Sequence, residues 1–261
     1  MKNFNFKSAT NSKDAAKMAT GRATFLAGGM SLLPAMKLRL AAYSDIINIK
    51  KIKGLSGFKV SSKSLRIGAT TTHATVAASK EVGKAIPSLA VLADGIGDPQ
   101  VRNRGTIGGS IANNDPASDY PSACLALNAT IHTNKRKIGA DKFFKGMFET
   151  DLKKGELIES VEFEVPEKSA YVKYPNPASR YAIVGVYVAK YKSEVRVSVT
   201  GASSAVYRLK DLESALSSNF SPSAIDGVSI STKGLNSDIH ASAEYRAHLI
   251  KVMARKAVSN C

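Results

Sequence analysis

Two stretches of this sequence bring paired glycines together with hydroxyl side chains. Residues 25–31 read FLAGGMS, and residues 101–123 read VRNRGTIGGSIANNDPASDYPSA. A Gly-Gly step carries no Cβ, so its backbone N–H groups can approach a phosphate closely and take angles closed to other residues. In the second stretch Thr106 and Ser110 can donate hydroxyl hydrogen bonds, Gly108 and Gly109 free the backbone, and Asn113, Asn114, Asp115 and Asp119 offer polar recognition groups. Two such loops closing on one anion would grip a diphosphate from both sides, which is the chemistry of a nucleotide cofactor. Taken alone, the first stretch reads as a plain tight turn after a strand. The second is long, polar and rich in small residues, a composition that packing alone does not explain and that functional loops favour. For Asp119 two roles stay open: a helix cap before Tyr120 and Pro121, or an acceptor for sugar or ribityl hydroxyls. Arg102 and Arg104 read either as positive field near the diphosphate or as surface charge.

No other reactive constellation is spelled out. His73 follows three threonines at a helix start and reads as a capping-region or core histidine, while His240 and His248 lack metal-ligand spacing. No Ser/His/Asp set or Cys/His pair is defensible. Of the two cysteines, Cys124 sits in an apolar run and reads as a small buried hydrophobe, and Cys261, the last residue, is expected to be mobile. Without a CxxC or Cys/His cluster the chain cannot carry its own iron–sulfur cluster or structural zinc. The chemistry must therefore come from a bound cofactor.

The elements that must position these loops can be read from periodicity. A short strand at Phe4 and Phe6 precedes a helix over residues 12–17, and residues 23–27 form a buried strand leading into the first Gly-Gly turn. SLLPAMKLRLA has helical spacing, with Pro34 near its start where a missing N–H is tolerated, and residues 45–49 form the next strand. This is a βαβ-like unit without a Rossmann fingerprint: G-x-G-x-x-G is absent, and no acid ends the second strand at Asn48. A hairpin over residues 58–60 and 64–67 opens a second unit, followed by helices at TTTHATVAAS and residues 85–93. Beyond the glycine loop come an apolar segment at 123–129, a strand pair over 130–138, a helix-like stretch at 141–148 and an alternating strand at 157–165. From residue 168 the texture changes to three Val- and Tyr-rich strands at hairpin spacing, at 171–174, 182–191 and 194–202. Helices at 209–216 and 241–258 follow, the latter with an apolar stripe of Ala243, Ala247, Leu249, Ile250 and Met253.

At 261 residues, 44% hydrophobic and 22% charged, the chain is an ordinary globular one with no run near the ~18 apolar residues of a membrane span. Nothing at its start resembles an export signal, so a cytoplasmic location is expected. The net charge of +16 raises the possibility of nucleic-acid binding. Aromatic content is only 7% and no nucleic-acid motif is present, so a basic surface for acidic partner proteins or an anionic cofactor is the better account.

AGGMSLLPAMKLRLA together with VRNRGTIGGSIANNDPASDYPSA resembles the FAD-binding medium subunit of molybdenum hydroxylases, of the carbon monoxide dehydrogenase medium-chain type, with the xanthine dehydrogenase flavin domain a more distant relative. The resemblance continues through LRIGATTTHATV, YVKYPNPASRYAIVGV and DIHASAEYRAHLIKVMARKAV, nearly the whole chain. It implies an α+β fold: a vanillyl-alcohol-oxidase/PCMH-type FAD-binding domain over residues 1–167, in subdomains of about 1–56 and 57–167. A C-terminal α+β domain over 168–261, with a three-stranded antiparallel sheet, would follow. By the same resemblance Ala27, Gly28, Gly29, Met30 and Ser31, with Thr106, Ile107, Gly108, Gly109 and Ser110, hold the FAD diphosphate. Asp119 contacts the cofactor's hydroxyls, Ile96, Ile158 and Lys173 line the flavin, and Tyr181 sits near the isoalloxazine face. Met30 stands where many members have Gln, Asn48 where an acid is common, and the segment before Phe25 is short; none of these removes a phosphate loop.

The implied function is electron relay. A large subunit with a molybdenum cofactor would oxidise the substrate, a small subunit with 2Fe-2S clusters would pass electrons on, and FAD in this chain would deliver them to an acceptor such as a quinone. The assembly implied is a heterotrimer that dimerises. Two other readings stand beside it: a stand-alone FAD-dependent oxidoreductase with its own substrate pocket, and a basic nucleic-acid-binding or assembly protein that would bind no flavin.

Overall fold

Apolar residues between 5 and 48 build a parallel sheet. In the computed structural model, which describes residues 1–261, strands Asn5–Ser8, Asp45–Asn48 and Ala23–Leu26 lie side by side in that order, each parallel to its neighbour. The central strand buries Ile46 and Ile47. The strand Ala23–Leu26 is half-buried along its length rather than buried, because it is an edge with a neighbour on one side only. Helix Leu32–Lys37 makes the crossover that a parallel pair requires. Its helical spacing continues to Ala41 in the sequence, yet the helix stops at Lys37, and Arg39 turns left-handed at φ 62°.

The second unit is a five-stranded antiparallel sheet in the order Phe58–Val60, Ser64–Gly68, Ile158–Glu164, Thr130–Thr133, Lys137–Gly139. Leu65, Ile67, Val161 and Phe163 from its strands share a core with Val76, Leu89, Leu92, Ile107, Ile111 and Tyr120 from the helices. Those helices include much of the glycine stretch. Residues 101–123, read as a loop, fold largely as short helices Pro99–Arg104, Ile107–Asn113 and Tyr120–Ala126. Asp98 and Thr106 cap the first two through their side chains, accepting from the N–H groups of Val101 and Gly109. The helix-like stretch at 141–148 is in fact a single turn, Ala140–Phe143, running into a tight hairpin of Phe144–Gly146 and Glu149–Thr150. The reversal is imposed from outside: the Asn114 amide donates to the carbonyls of both Gly146 and Glu149 at 2.8 Å.

The C-terminal sheet has four strands rather than three. The expected strands Lys168–Pro175, Ala182–Lys190 and Val195–Thr200 are joined by Tyr207–Arg208, which pairs with Ser198 and Val199. A two-residue strand leaves no periodicity to detect, so only its pairing defines it. Helices Lys210–Ser218 and Ala243–Ser259 close one face over Val184, Val186, Val197 and Val199. The other face contributes Tyr171, Tyr187 and Ala189 to the large core of the second unit. Covered on both faces, Ala182–Lys190 reads as a nearly continuous apolar run. Cys124 is buried in the large core, and burial pushes its thiol pKa up. Cys261 is half-buried against the C-terminal core instead of standing free. No helix is long and apolar enough to cross a membrane, and no group of His, Cys, Asp or Glu is placed to hold a metal ion.

Candidate functional site

The two glycine stretches meet. A Cβ on Gly28 would overlap the carbonyl of Arg104 and the Cα of Gly105, so here one backbone lies directly on the other. A Cβ on Gly109 would come 4.0 Å from the Ala27 methyl. Between them opens a cleft of about 1000 Å³, at the large end for small-ligand sites. Ala27, Gly28, Gly29, Met30 and Ser31 line it, opposite Thr106, Gly108, Gly109, Ser110 and Asp119, with Ile96, Ile158 and Tyr181 further along. Ile107 and Lys173 do not line it. Ile107 is buried in the core, and Lys173 lies behind Asp119.

The two loops are built differently. No backbone N–H from Ala27 through Leu32 donates to any acceptor in the chain. The strand ends at Leu26 on the sheet edge, helix Leu32–Lys37 has not yet begun to return its own bonds, and Gly29 at φ 77° turns the backbone between them. The result is a row of free donors lining the cleft, of the kind that cradles phosphate oxygens. Across from it the donors are already used. Gly108 N–H donates to the Ala69 carbonyl at 2.9 Å, Ser110 N–H to the Thr106 carbonyl at 2.9 Å, and Gly109 N–H to Thr106 Oγ1 at 3.2 Å. This wall offers hydroxyl side chains instead, with Ser110 Oγ and the Asn113 amide making no hydrogen bond within the chain.

Gly108 therefore has a packing role. A Cβ there would lie 2.5 Å from the Ala69 Cβ and 2.7 Å from its carbonyl oxygen, so the glycine lets helix Ile107–Asn113 press against the backbone at Ala69. Gly108→Ala is expected to destabilise the fold by about 1–3 kcal/mol through overpacking. Urea unfolding checks this; an unchanged midpoint would mean that the helix has room to move.

Asp119 occupies the N-cap position of helix Tyr120–Ala126 but makes no side-chain cap bond. Its Oδ1 instead accepts from the Tyr171 hydroxyl at 2.5 Å and pairs with Lys173 Nζ at 3.0 Å. Lys173 also donates to the Gly95 carbonyl at 2.8 Å. Burial drives the Asp119 pKa above the ordinary carboxylate value, against the opposing pull of Lys173 and Tyr171. Arg102 is half-buried, donating to the carbonyls of Ile96 and Gly97, whereas the Arg104 side chain is exposed.

Sequence reading did not place His73 or Phe148 in the site. Both line the cleft. His73 starts helix His73–Ala78 beneath Gly105, is 4% exposed, and its Nδ1 has no partner. Burial is the main cause that lowers its pKa to about 4, with the Arg102 charge adding to it. Because the folded pKa lies below the ordinary histidine value of 6.5, the stability this neutral ring carries is complete above that value and is lost as pH falls towards about 4. The window is worth about 3 kcal/mol. His73→Leu is expected to flatten the acid limb of stability between these values by that amount, measured by urea unfolding across pH; an unaltered limb would mean that His73 is not held neutral. Phe148 arrives from a hairpin with no sequence signal of its own, at a left-handed φ of 55°.

Residues 2–167 match the family described as the FAD binding domain in molybdopterin dehydrogenase. The chain belongs to this family, the FAD-binding medium subunits of the molybdenum hydroxylases, as the glycine stretches led us to expect. It is 36% identical over 247 residues to the nicotine 6-hydroxylase medium subunit of Paenarthrobacter nicotinovorans, covering 89% of this chain and 87% of that one. To the carbon monoxide dehydrogenase medium chain of Hydrogenophaga pseudoflava it is 32% identical over 255 residues, covering 91% and 88%. The structure superposes on a chain of the reconstituted CO dehydrogenase from Oligotropha carboxidovorans with a TM-score of 0.92 at 27% identity, covering 99% of this chain and 97% of that one. The α+β fold with its C-terminal antiparallel sheet is thus a fold shared with a chain of CO dehydrogenase.

Proposed function

We propose that this chain is the flavin-bearing subunit of a molybdenum hydroxylase. It would hold FAD between the 2Fe-2S clusters of a small partner subunit and an external electron acceptor, with the molybdenum cofactor in a large partner subunit. The observation that carries the reading is the row of unpartnered N–H groups from Ala27 through Leu32, facing Ser110 and Asn113 across a cleft of about 1000 Å³. A diphosphate would satisfy those donors, and Gly28 lets the two walls meet closely enough for both to reach it.

When bound, FAD supplies a ring that exchanges electrons singly or in pairs. The chain's residues bind and orient it. The N–H groups of residues 27–32 take one side of the diphosphate, and the hydroxyls of Thr106 and Ser110 take the other. Asp119, which lines the cleft and is fixed by Lys173 and Tyr171, would accept from the cofactor's hydroxyls. Ile96, Ile158 and Tyr181 would give the ring an apolar and aromatic seat. The division into residues 1–56, 57–167 and 168–261 is part of the same proposal. It is supported by a separate core for the last portion and crossed by Tyr171 and Tyr187. A net charge of +16 supports both an anionic cofactor and docking to acidic subunits in a heterotrimer that dimerises.

The experiment is direct. The purified chain is expected to carry FAD, or to take it up when offered, in equal molar amount. Expressed with its partner chains it is expected to co-purify with molybdenum and iron. A chain that remains colourless in excess FAD overturns the proposal.

A further inference from the structure

The segment that brings Asp119 to the cleft is held by the C-terminal sheet. Residues 115–118 form the turn that leads into helix Tyr120–Ala126. Two bonds are internal to the turn: Asp115 Oδ1 accepts from the Ala117 N–H at 2.9 Å, and the Asp115 carbonyl accepts from the Ser118 N–H at 3.0 Å. The other three carbonyls are taken up from outside. The Ala182 N–H donates to the Ala117 carbonyl at 3.2 Å, and the Gly201 N–H to the Pro116 carbonyl at 2.8 Å. Thr200 Oγ1 lies 3.0 Å from the Pro116 carbonyl and 2.6 Å from that of Ser118.

Thr200 ends a polar row on one face of strand Val195–Thr200, where alternate residues point the same way. Arg196 Nε donates to the Leu125 carbonyl at 2.9 Å and Ser198 Oγ to the Ser122 carbonyl at 2.7 Å. All three are buried, at 4%, 0% and 1% exposure for Arg196, Ser198 and Thr200. Arg196 and Ser198 grip the helix beyond Asp119, whereas Thr200 grips the peptide just before it. No backbone N–H donates to the Ser118 carbonyl, so the Thr200 hydroxyl is its donor. That carbonyl and the Asp119 N–H belong to one planar peptide unit. Fixing the carbonyl therefore fixes the plane from which Asp119 departs. Its own helix does not aim the side chain, which makes no cap bond. Tyr171 and Lys173 hold the carboxylate at its tip, and Thr200 holds the backbone at its root.

We infer that Thr200 is a positioning residue of the cofactor site, its hydroxyl holding the Asp119 carboxylate in place through the Ser118–Asp119 peptide plane. The inference rests on the function proposed above, in which Asp119 accepts from the cofactor's hydroxyls. On this account the C-terminal sheet is part of the FAD site. Without the hydroxyl, the Ser118 carbonyl is buried with no partner, and the peptide plane turns to find one.

The test compares FAD affinity of the full chain, by equilibrium dialysis, with urea unfolding of the flavin-free chain. Thr200→Val keeps the branched shape and removes the hydroxyl, and Thr200→Ser keeps the hydroxyl. Ser198→Ala removes a comparably buried hydroxyl from the same strand face, one whose partner lies past Asp119. Thr200→Val and Ser198→Ala are both expected to unfold at lower urea than the parent. FAD binding is expected to weaken at least about ten-fold in Thr200→Val, and to stay within about three-fold of the parent in Thr200→Ser and Ser198→Ala. If the valine chain does not fold, Thr200→Ala is read in its place. Weakening of less than about ten-fold without the hydroxyl, an equal loss in Ser198→Ala, or no recovery in Thr200→Ser makes Thr200 a packing residue alone. Any of these overturns the inference and leaves the proposed function standing. A parent chain that takes up no FAD removes both.

Discussion

A Gly28→Val chain is expected to purify without flavin and to bind added FAD at least about 100-fold more weakly than the parent, a loss of about 2.8 kcal/mol. The reason is position. At Gly28 the first loop lies directly on the backbone of Arg104 and Gly105, and a side chain has nowhere to go except by forcing the two walls apart. Backbone cannot yield as a flexible side chain can, so the N–H groups of residues 27–32 would be carried away from Ser110 and Asn113. Gly29→Val reaches the same end by another route. A β-branched residue does not tolerate φ 77°, so the turn that gathers those N–H groups must open. Neither change touches the large core, and circular dichroism is expected to match the parent. Equilibrium dialysis against FAD is the measurement, and parent-like affinity in both variants would sink the site. Gly108→Val is no substitute for them, because its side chain would strike Ala69 and test packing rather than binding.

Lys173→Met is expected to be the most destabilising single change near the site. Lys173 and Asp119 are 9% and 5% exposed, and the lysine is the only cation on that carboxylate. Removing one partner of a buried pair leaves an uncompensated charge and costs about 3 kcal/mol. For a chain of this size that lowers the melting temperature by roughly 6–12 °C. The measurement belongs on the flavin-free chain, since bound FAD would raise the melting point by mass action. Asp119→Asn combined with Lys173→Met is expected to recover at least about half of the loss, because the amide needs no counter-charge and still accepts from Tyr171. Melting of Lys173→Met within about 2 °C of the parent would show that the pair is not the buried structural link described here.

Much of the site was legible from residue types. Glycine pairs are visible in a sequence because no other residue replaces them where backbones touch, and the threonine and serine hydroxyls beside them marked the second wall. Strands Phe58–Val60, Ile158–Glu164 and Ala182–Lys190 announced themselves by alternation or by a continuous apolar run, which are local properties. The same locality explains the errors. Residues 101–123 looked like a loop because glycines and asparagines weaken helix propensity, yet caps at Asp98 and Thr106 and packing on Ala69 fold them as helices.

The sequence by itself determined that two Gly-Gly steps stand beside hydroxyl side chains, and that the chain's class is that of a flavin-binding subunit. Tertiary structure decided which atoms face the cleft. It left the N–H groups around the first Gly-Gly step free and folded the second into a helix that consumes its own, assigned Gly108 to packing and Gly28 to contact between the walls, and paired Lys173 with Asp119. It also brought His73 and Phe148 to the site from distant segments. Periodicity and composition report how a residue relates to its near neighbours along the chain. The direction of a hydrogen bond, or the closeness of two backbones 76 residues apart such as Gly28 and Arg104, depends on partners that only folding brings together.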